Sequence, residues 1–286
     1  MTPVSTRGFA AHRLQSRLLP LASYVILAVV AFFFLLPLIW MVSTSFKLPN
    51  QVFAQPIEWI PSNPVFSNYP EAFGKADFTR FFLNSIVVTV VATSLHVLLA
   101  SLAGYGLAKY RFVGRRWLLI LILASLVLPI EVIMIPLFLT VKDFGWLNSY
   151  QGIIAPHIGD AFGVFLMRQY FLSLPDDLID AARIDGAGHL RTFFAIAVPL
   201  SRPALVTLAI FMGREVWDEF LWPFLVVSSS DMRTLPIGIQ TFASAELADF
   251  PGIMAISTLA TIPLLLMFFV FQRQFVRGIQ MTGIRE

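Results

Sequence analysis

Apolar residues in this chain gather into six long runs separated by short polar segments, over about 19–42, 84–106, 117–140, 152–172, 204–227 and 253–271. A helix needs roughly 20 residues to cross about 30 Å of hydrocarbon, and there each backbone polar group must be satisfied within the structure. Six transmembrane helices are the expectation, in an all-α polytopic membrane protein. Composition agrees: 57% of the 286 residues are hydrophobic and 13% charged, with a mean hydropathy of +0.78. An average soluble protein has about a quarter of its residues charged. The chain reads as a single transmembrane domain over 1–286, with its core at about 80–275.

A net charge of +3 is too small for a nucleic-acid footprint. The absence of cysteine rules out disulfides and thiolate metal sites. No metal site or catalytic constellation is expected: neither His-Glu-x-x-His nor Gly-x-Ser-x-Gly occurs, and Gly74-Lys75 lacks the rest of a phosphate loop. The first run is too long for a signal-peptide core and reads as a retained anchor.

Lys and Arg set the expected orientation. With the N-terminus inside, one side holds Arg7, Arg13, Arg17, Lys109, Arg111, Arg115, Arg116, Arg168, Arg183, Arg191, Arg202, Arg273, Arg277 and Arg285. The other holds Lys47, Lys75, Arg80, Lys142 and Arg233. That asymmetry favours both termini in the cytoplasm of a multi-pass protein. The external segments then include a proline-rich irregular loop over 43–82, a short turn over 142–151 and a loop over 228–250.

The cytoplasmic segment 173–203 has an organisation of its own. Pro175 with Asp176 and Asp177 starts a helix. At about 100° per residue, Leu178, Ile179, Ala181 and Ala182 share a face opposite Asp176, Asp177, Asp180 and Arg183, and Asp185 falls on the small-residue side. Gly186 and Gly188 break the helix, and a second one is expected over 189–197, stopped before Pro199. Small alanines on an exposed face allow another protein to approach closely. The acidic charge and narrow apolar face argue against a helix lying on lipid.

Asp180-Ala181-Ala182, then Asp185-Gly186-Ala187, closing with Ile196-Ala197-Val198-Pro199, resemble the EAA loop of permease subunits of bacterial ABC importers. Asp180 stands where that pattern has Glu, and Val198 where it has Leu. Pro61-Ser62-Asn63-Pro64, Asn68-Tyr69, Asn84-Ser85 and Trp217-Asp218-Glu219-Phe220 are similar to the carbohydrate-uptake permeases of the maltose type. Asp218 replaces their Asn. Gln272-Arg273 and Phe275-Val276-Arg277-Gly278 match their ending, while Gly283-Ile284-Arg285-Glu286 departs from it. Closest in type is the second permease of such systems.

The resemblance implies that 173–203 seats in the partner ATPase, with Asp180, Ala181, Ala182, Asp185, Gly186, Ala187 and Pro199 as its coupling residues. It further implies an inner-membrane complex of this chain with a homologous permease, two ABC ATPases holding ATP and Mg, and an external solute-binding protein met by 228–250. No cofactor is then bound by this chain. Glu215, Asp218, Glu219 and Trp222 are candidates for the pathway of a sugar, since carboxylates accept from hydroxyls and tryptophan stacks on the ring.

A charge at mid-bilayer costs about 2.5–3.5 kcal/mol on insertion scales, so Arg214, Glu215, Asp218 and Glu219 should face protein or water. Arg214 and Asp218, one turn apart, are placed to pair. A salt bridge at a subunit interface explains these charges as well as a pathway does. Glu131, His157 and Asp160 fall in the third and fourth runs. The alternative function is an ion-gradient-driven secondary transporter, whose mark is discontinuous helices in repeated halves.

Overall fold

In this computed structural model the backbone is described for residues 7–246 and 249–283, and the side chains for 23–246 and 249–272. The side chains of Arg7, Arg13, Arg17 and of residues 273–283, which include Arg273, Arg277 and the 275–278 motif, and the tail from Ile284 to Glu286 lie outside those ranges. Every described element is helical. The chain divides into two compact units, 1–72 with 247–258 and 73–246 with 259–286.

The first unit begins with α1 (Arg7–Thr44). Its 23–44 portion is apolar on all sides and exposed almost throughout, as suits a helix solvated by lipid. Beyond it the chain is irregular but tied down. Asn68 donates through Nδ2 to the carbonyls of Ser45 and Lys47, both at 2.9 Å, and the Lys47 ammonium lies 4.2 Å from the centre of the Trp40 ring. The expected irregular loop over 43–82 therefore holds only in part, because α2 (Asn68–Lys75) is a helix.

The second unit is built on α3 (Phe78–Lys109). It packs closely on α7 (Ala161–Ser173) because small residues line the seam. A Cβ on Gly104 would sit 2.8 Å from the Arg168 backbone nitrogen, and one on Gly163 would overlap the His96 ring. No other residue fits at either crossing.

Three described helices are long and apolar enough to span a membrane, or up to five if each bent pair counts as one span. The span expected over 117–140 is two helices, α4 (Arg115–Ser125) and α5 (Ile130–Asp143), bent by 102°. Pro129 forces an extended conformation at the break, with ψ 142° at its own position. The run over 152–172 is interrupted too. After α6 (Tyr150–Ile154) comes a 3-10 turn containing Pro156, and α7 restarts where the Asp160 carboxylate accepts from the Gly163 N–H at 3.2 Å.

The run over 204–227 begins as α11 (Arg202–Asp218), stops at Glu219, and resumes as the short α12 (Leu221–Val226). The last helix, α14 (Phe250–Gly283), is longer than expected. The supposed loop over 228–250 contains α13 (Leu235–Ala245), entered through Thr234 with Pro236 in its first turn. It is docked on the start of α3: the Leu235 N–H donates to Ser85 Oγ at 2.8 Å, and Phe242 meets Phe78 edge to face.

Candidate functional site

The 173–203 segment folds as α8 (Asp176–Ile184), a glycine corner, and α9 (His189–Thr192), which continues through a π turn over 193–197 into α10 (Val198–Leu200). The second helix thus runs past Pro199 instead of stopping before it. A proline ring clashes with the carbonyl four residues back, and the wider π turn just ahead gives it room. This stretch then meets α11 at 80°.

The Asp-Gly-Ala spacing is explained by how α8 ends. Gly186, at φ +79°, donates its N–H to the Arg183 carbonyl at 3.0 Å, and the Ala187 N–H reaches the Ala182 carbonyl at 2.9 Å. These are the paired bonds of a Schellman cap, which needs a left-handed residue at that one position. Asp185 lies at the cap, exposed, and not on a packed small-residue face as its position on the helical wheel suggests, because the helix has already ended there. Only Ile179 and Ala182 of α8 are buried; Leu178 and Ala181 face outward. Asp180 pairs with Arg183 at 3.0 Å.

What holds this segment is the end of α3. Lys109 donates to the Leu174 carbonyl at 2.7 Å and to the Asp176 carboxylate. That hydrogen bond, with the Lys109 charge, holds the Asp176 carboxyl below the usual carboxylate range. Tyr110 hydrogen-bonds through its hydroxyl to His189 Nδ1 at 2.8 Å, and its ring lies under the Arg183 guanidinium at 5.6 Å. Beneath them Tyr105 packs against Phe171 and Phe193 in a buried aromatic floor. Lys109, Tyr105 and Tyr110 are the residues that sequence reasoning missed. Their partners lie more than 60 positions away, where no periodicity can show them.

Beside exposed Asp177, Asp185 and Arg191, the segment presents apolar side chains outward: Leu178, Leu190, Phe194 and above all Ile184, which is 87% exposed. An exposed apolar patch of this kind marks a surface for a partner.

The second candidate region is the break between α11 and α12. The Arg214 Nε to Asp218 Oδ2 distance is 3.2 Å, the i,i+4 pairing expected. Arg214, Glu215, Asp218, Glu219, Phe220 and Leu221 line an open cleft of about 340 Å³. Asp218 and Phe220 also line a neighbouring cleft of about 350 Å³ with Trp217, Gln240 and Thr261.

Trp222, expected beside the carboxylates, is 1% exposed, and its Nε1 donates to the Gly152 carbonyl at 3.0 Å. The α11 helix ends at Asp218 with Glu219 extended, so Trp222 turns into the core. Its backbone N–H donates to Glu219 Oε1 at 3.0 Å, which closes the break. Among the other charged candidates, Glu131 is exposed in the first turn of α5, Asp160 caps α7, and His157 is buried with its carbonyl accepting from His96 Nδ1 at 3.1 Å.

The family described as binding-protein-dependent transport system inner membrane component matches residues 96–281. An arabinooligosaccharides transport system permease protein of Halalkalibacterium halodurans is 36% identical over 90% of this chain and 94% of its own length. A lactose transport system permease protein of Rhizobium radiobacter is 34% identical over 93% of this chain and 96% of its own. Among solved structures, a bacterial ABC transporter involved in the import of the acidic polysaccharide alginate superposes with a TM-score of 0.81 at 26% identity, covering 96% of this chain and 100% of that one. The chain therefore belongs to the binding-protein-dependent transport system inner membrane component family, as a permease subunit of an ABC importer rather than its ATPase.

Proposed function

We propose that this permease carries a sugar or sugar-like solute, delivered by an external binding protein, through a pathway formed with a second, homologous permease. The relatives named for arabinooligosaccharides, lactose and diacetylchitobiose support the solute class. On this reading the spans number six: α1, α3, α4 with α5, α6 with α7, α11 with α12, and α14. Both termini and the 173–203 loop then face the cytoplasm of an inner-membrane complex. Two copies of an ATPase supply ATP and Mg, which this chain does not hold.

The observation that carries the mechanism is the anchoring of the 173–203 loop to α3. Closure of the ATPase pair would push on Ile184, Leu190 and Phe194. Because Lys109 and Tyr110 bind the loop to the end of α3, the push would pass into the central helix and, through its packing, to α7 and α11. The carboxylates at the α11 break would then offer hydrogen-bond acceptors to hydroxyls of the passing solute, and the Phe220 ring an apolar face.

The whole complex in proteoliposomes tests this. Uptake of a labelled oligosaccharide should require ATP on the side of the loop together with the binding protein. Uptake that persists without ATP and follows a proton or sodium gradient would favour the secondary-transporter alternative.

A further inference from the structure

Close to the anchored loop lies a group of cations that the transport reading leaves unused. Residues 107–125 contain Lys109, Arg111, Arg115 and Arg116 and no acid, and 161–173 contain Arg168 and no acid. Lys109 is taken by Leu174 and Asp176. Arg111, Arg115, Arg116 and Arg168 make no ion pair among the described residues.

Arg168 and Arg115 stand on neighbouring helices, because α7 packs beside α4. Arg168 Nε is buried without a hydrogen-bond partner among the described residues, and Arg115 spends one N–H on the Tyr110 carbonyl at 3.3 Å. Among the described residues neither guanidinium meets an acid, and Arg115 spends only that one N–H, so both forks keep N–H donors for an anion.

The start of α4 adds to the same field. Gly114, at φ +86°, turns the chain so that the helix begins at Arg115 without any side-chain cap, the Arg115 N–H donating to the Phe112 carbonyl at 3.3 Å, which puts the positive end of the dipole beside the arginines. What surrounds the cations says which anion. Phe112 and Val113 protrude into the open between Arg111 and Arg115, and Trp117 is 70% exposed one turn along. Exposed aromatic and aliphatic side chains beside arginines fit a headgroup with its acyl chains, and Trp concentrates at that level of a bilayer. A site for a free inorganic anion has no use for them.

We propose that Arg115, at the start of α4, and Arg168, on α7, bind the phosphate of an anionic lipid headgroup, with Phe112, Val113 and Trp117 resting against the glycerol and upper acyl region. The guanidinium forks suit the two free phosphate oxygens. A lipid held there bridges α4 and α7 beside the loop's anchor on α3. This goes beyond the transport function and does not depend on the solute.

Native mass spectrometry of the assembled transporter in neutral detergent tests it, with phosphatidylglycerol and phosphatidylcholine added in turn. The wild-type complex should retain phosphatidylglycerol over phosphatidylcholine by about tenfold or more, and Arg115→Gln with Arg168→Gln should remove most of that preference. Arg168→Lys, which keeps the charge, should retain the larger part, separating lost binding from lost folding; Arg233→Gln should change nothing. Equal retention of the two lipids by the wild type, or a preference that survives the double substitution, overturns the proposal. So does displacement of phosphatidylglycerol by millimolar inorganic phosphate, which would reassign the arginines to a soluble anion.

Discussion

At the 173–203 loop the anchoring charges are matched across the fold. Lys109 reaches Asp176 from another helix, and Arg183 lies between Asp180 and the Tyr110 ring, while Leu178, Ile184, Leu190 and Phe194 stand on the outer surface. At the α11 break the one ion pair, Arg214 with Asp218, lies within a single helix turn, and Glu215 and Glu219 line an open cleft. The first arrangement makes a stiff body with a hydrophobic face for a protein partner. The second leaves two carboxylates on an open cleft, the surface that the proposed function gives to a solute rich in hydroxyls. Charge fixes geometry in one region and stays open to the cleft in the other.

Gly186→Arg should separate the two regions most sharply. A left-handed backbone costs a residue with a side chain about 1–2 kcal/mol, and the new guanidinium would project from the exposed corner of the loop. Transport should be abolished and the ATPase should co-purify poorly, while membrane insertion stays normal. Normal uptake in this variant would remove the loop from the mechanism.

Glu219→Gln comes next. The carboxamide keeps an Oε1 acceptor for the Trp222 N–H, so the break stays closed and only the charge is lost. Uptake should fall by about tenfold, the worth of one hydrogen bond to a charged group. Unchanged uptake with weaker detergent stability of the complex would move Glu219 from the pathway to the subunit interface.

Trp222→Phe should do the reverse. It leaves the Gly152 carbonyl without its donor and lowers stability by about 1–3 kcal/mol, read as a drop in melting temperature, with uptake per folded complex unchanged.

The smallest effect concerns pH. The folded pKa of Asp176 lies below its ordinary value of 3.8, so its contribution to holding the loop is complete above that value and is lost only as pH falls through the lower folded one. The uptake ratio of wild type to Asp176→Asn should stay constant from about pH 8 to about pH 5. A ratio that drifts over that range would show that Asp176 titrates where it should not.

The sequence showed some of this plainly. Pro175, Asp176 and Asp177 start α8 and Gly186 ends it, because caps are local chemistry that a few adjacent residues decide. The long apolar runs marked membrane segments for the same reason. They concealed the breaks: lipid-facing and core-facing residues are equally apolar, so 117–140 gives no periodic warning that Pro129 turns the chain by 102°. Trp222 parts from the carboxylates because α11 stops at Glu219, a break that the continuous apolar run does not show. The α13 helix had a readable start in Thr234, Leu235 and Pro236, but its polar flanks suggested a loop. Lys109 and Tyr110 were beyond reach, since their roles exist only once α3 and α8 are brought together.

The most direct test of the account lies in its central claim, that the outer face of the 173–203 loop seats in the ATPase. The chain has no cysteine, so Ile184→Cys gives a unique thiol at an 87% exposed position, and Ile60→Cys gives a control at 85%. In the assembled complex, a photoreactive maleimide on residue 184 should cross-link to the ATPase, with a yield that changes when ATP is added; residue 60 should give no such product. Cross-linking from residue 184 to lipid alone, or equal ATPase products from both positions, would contradict it.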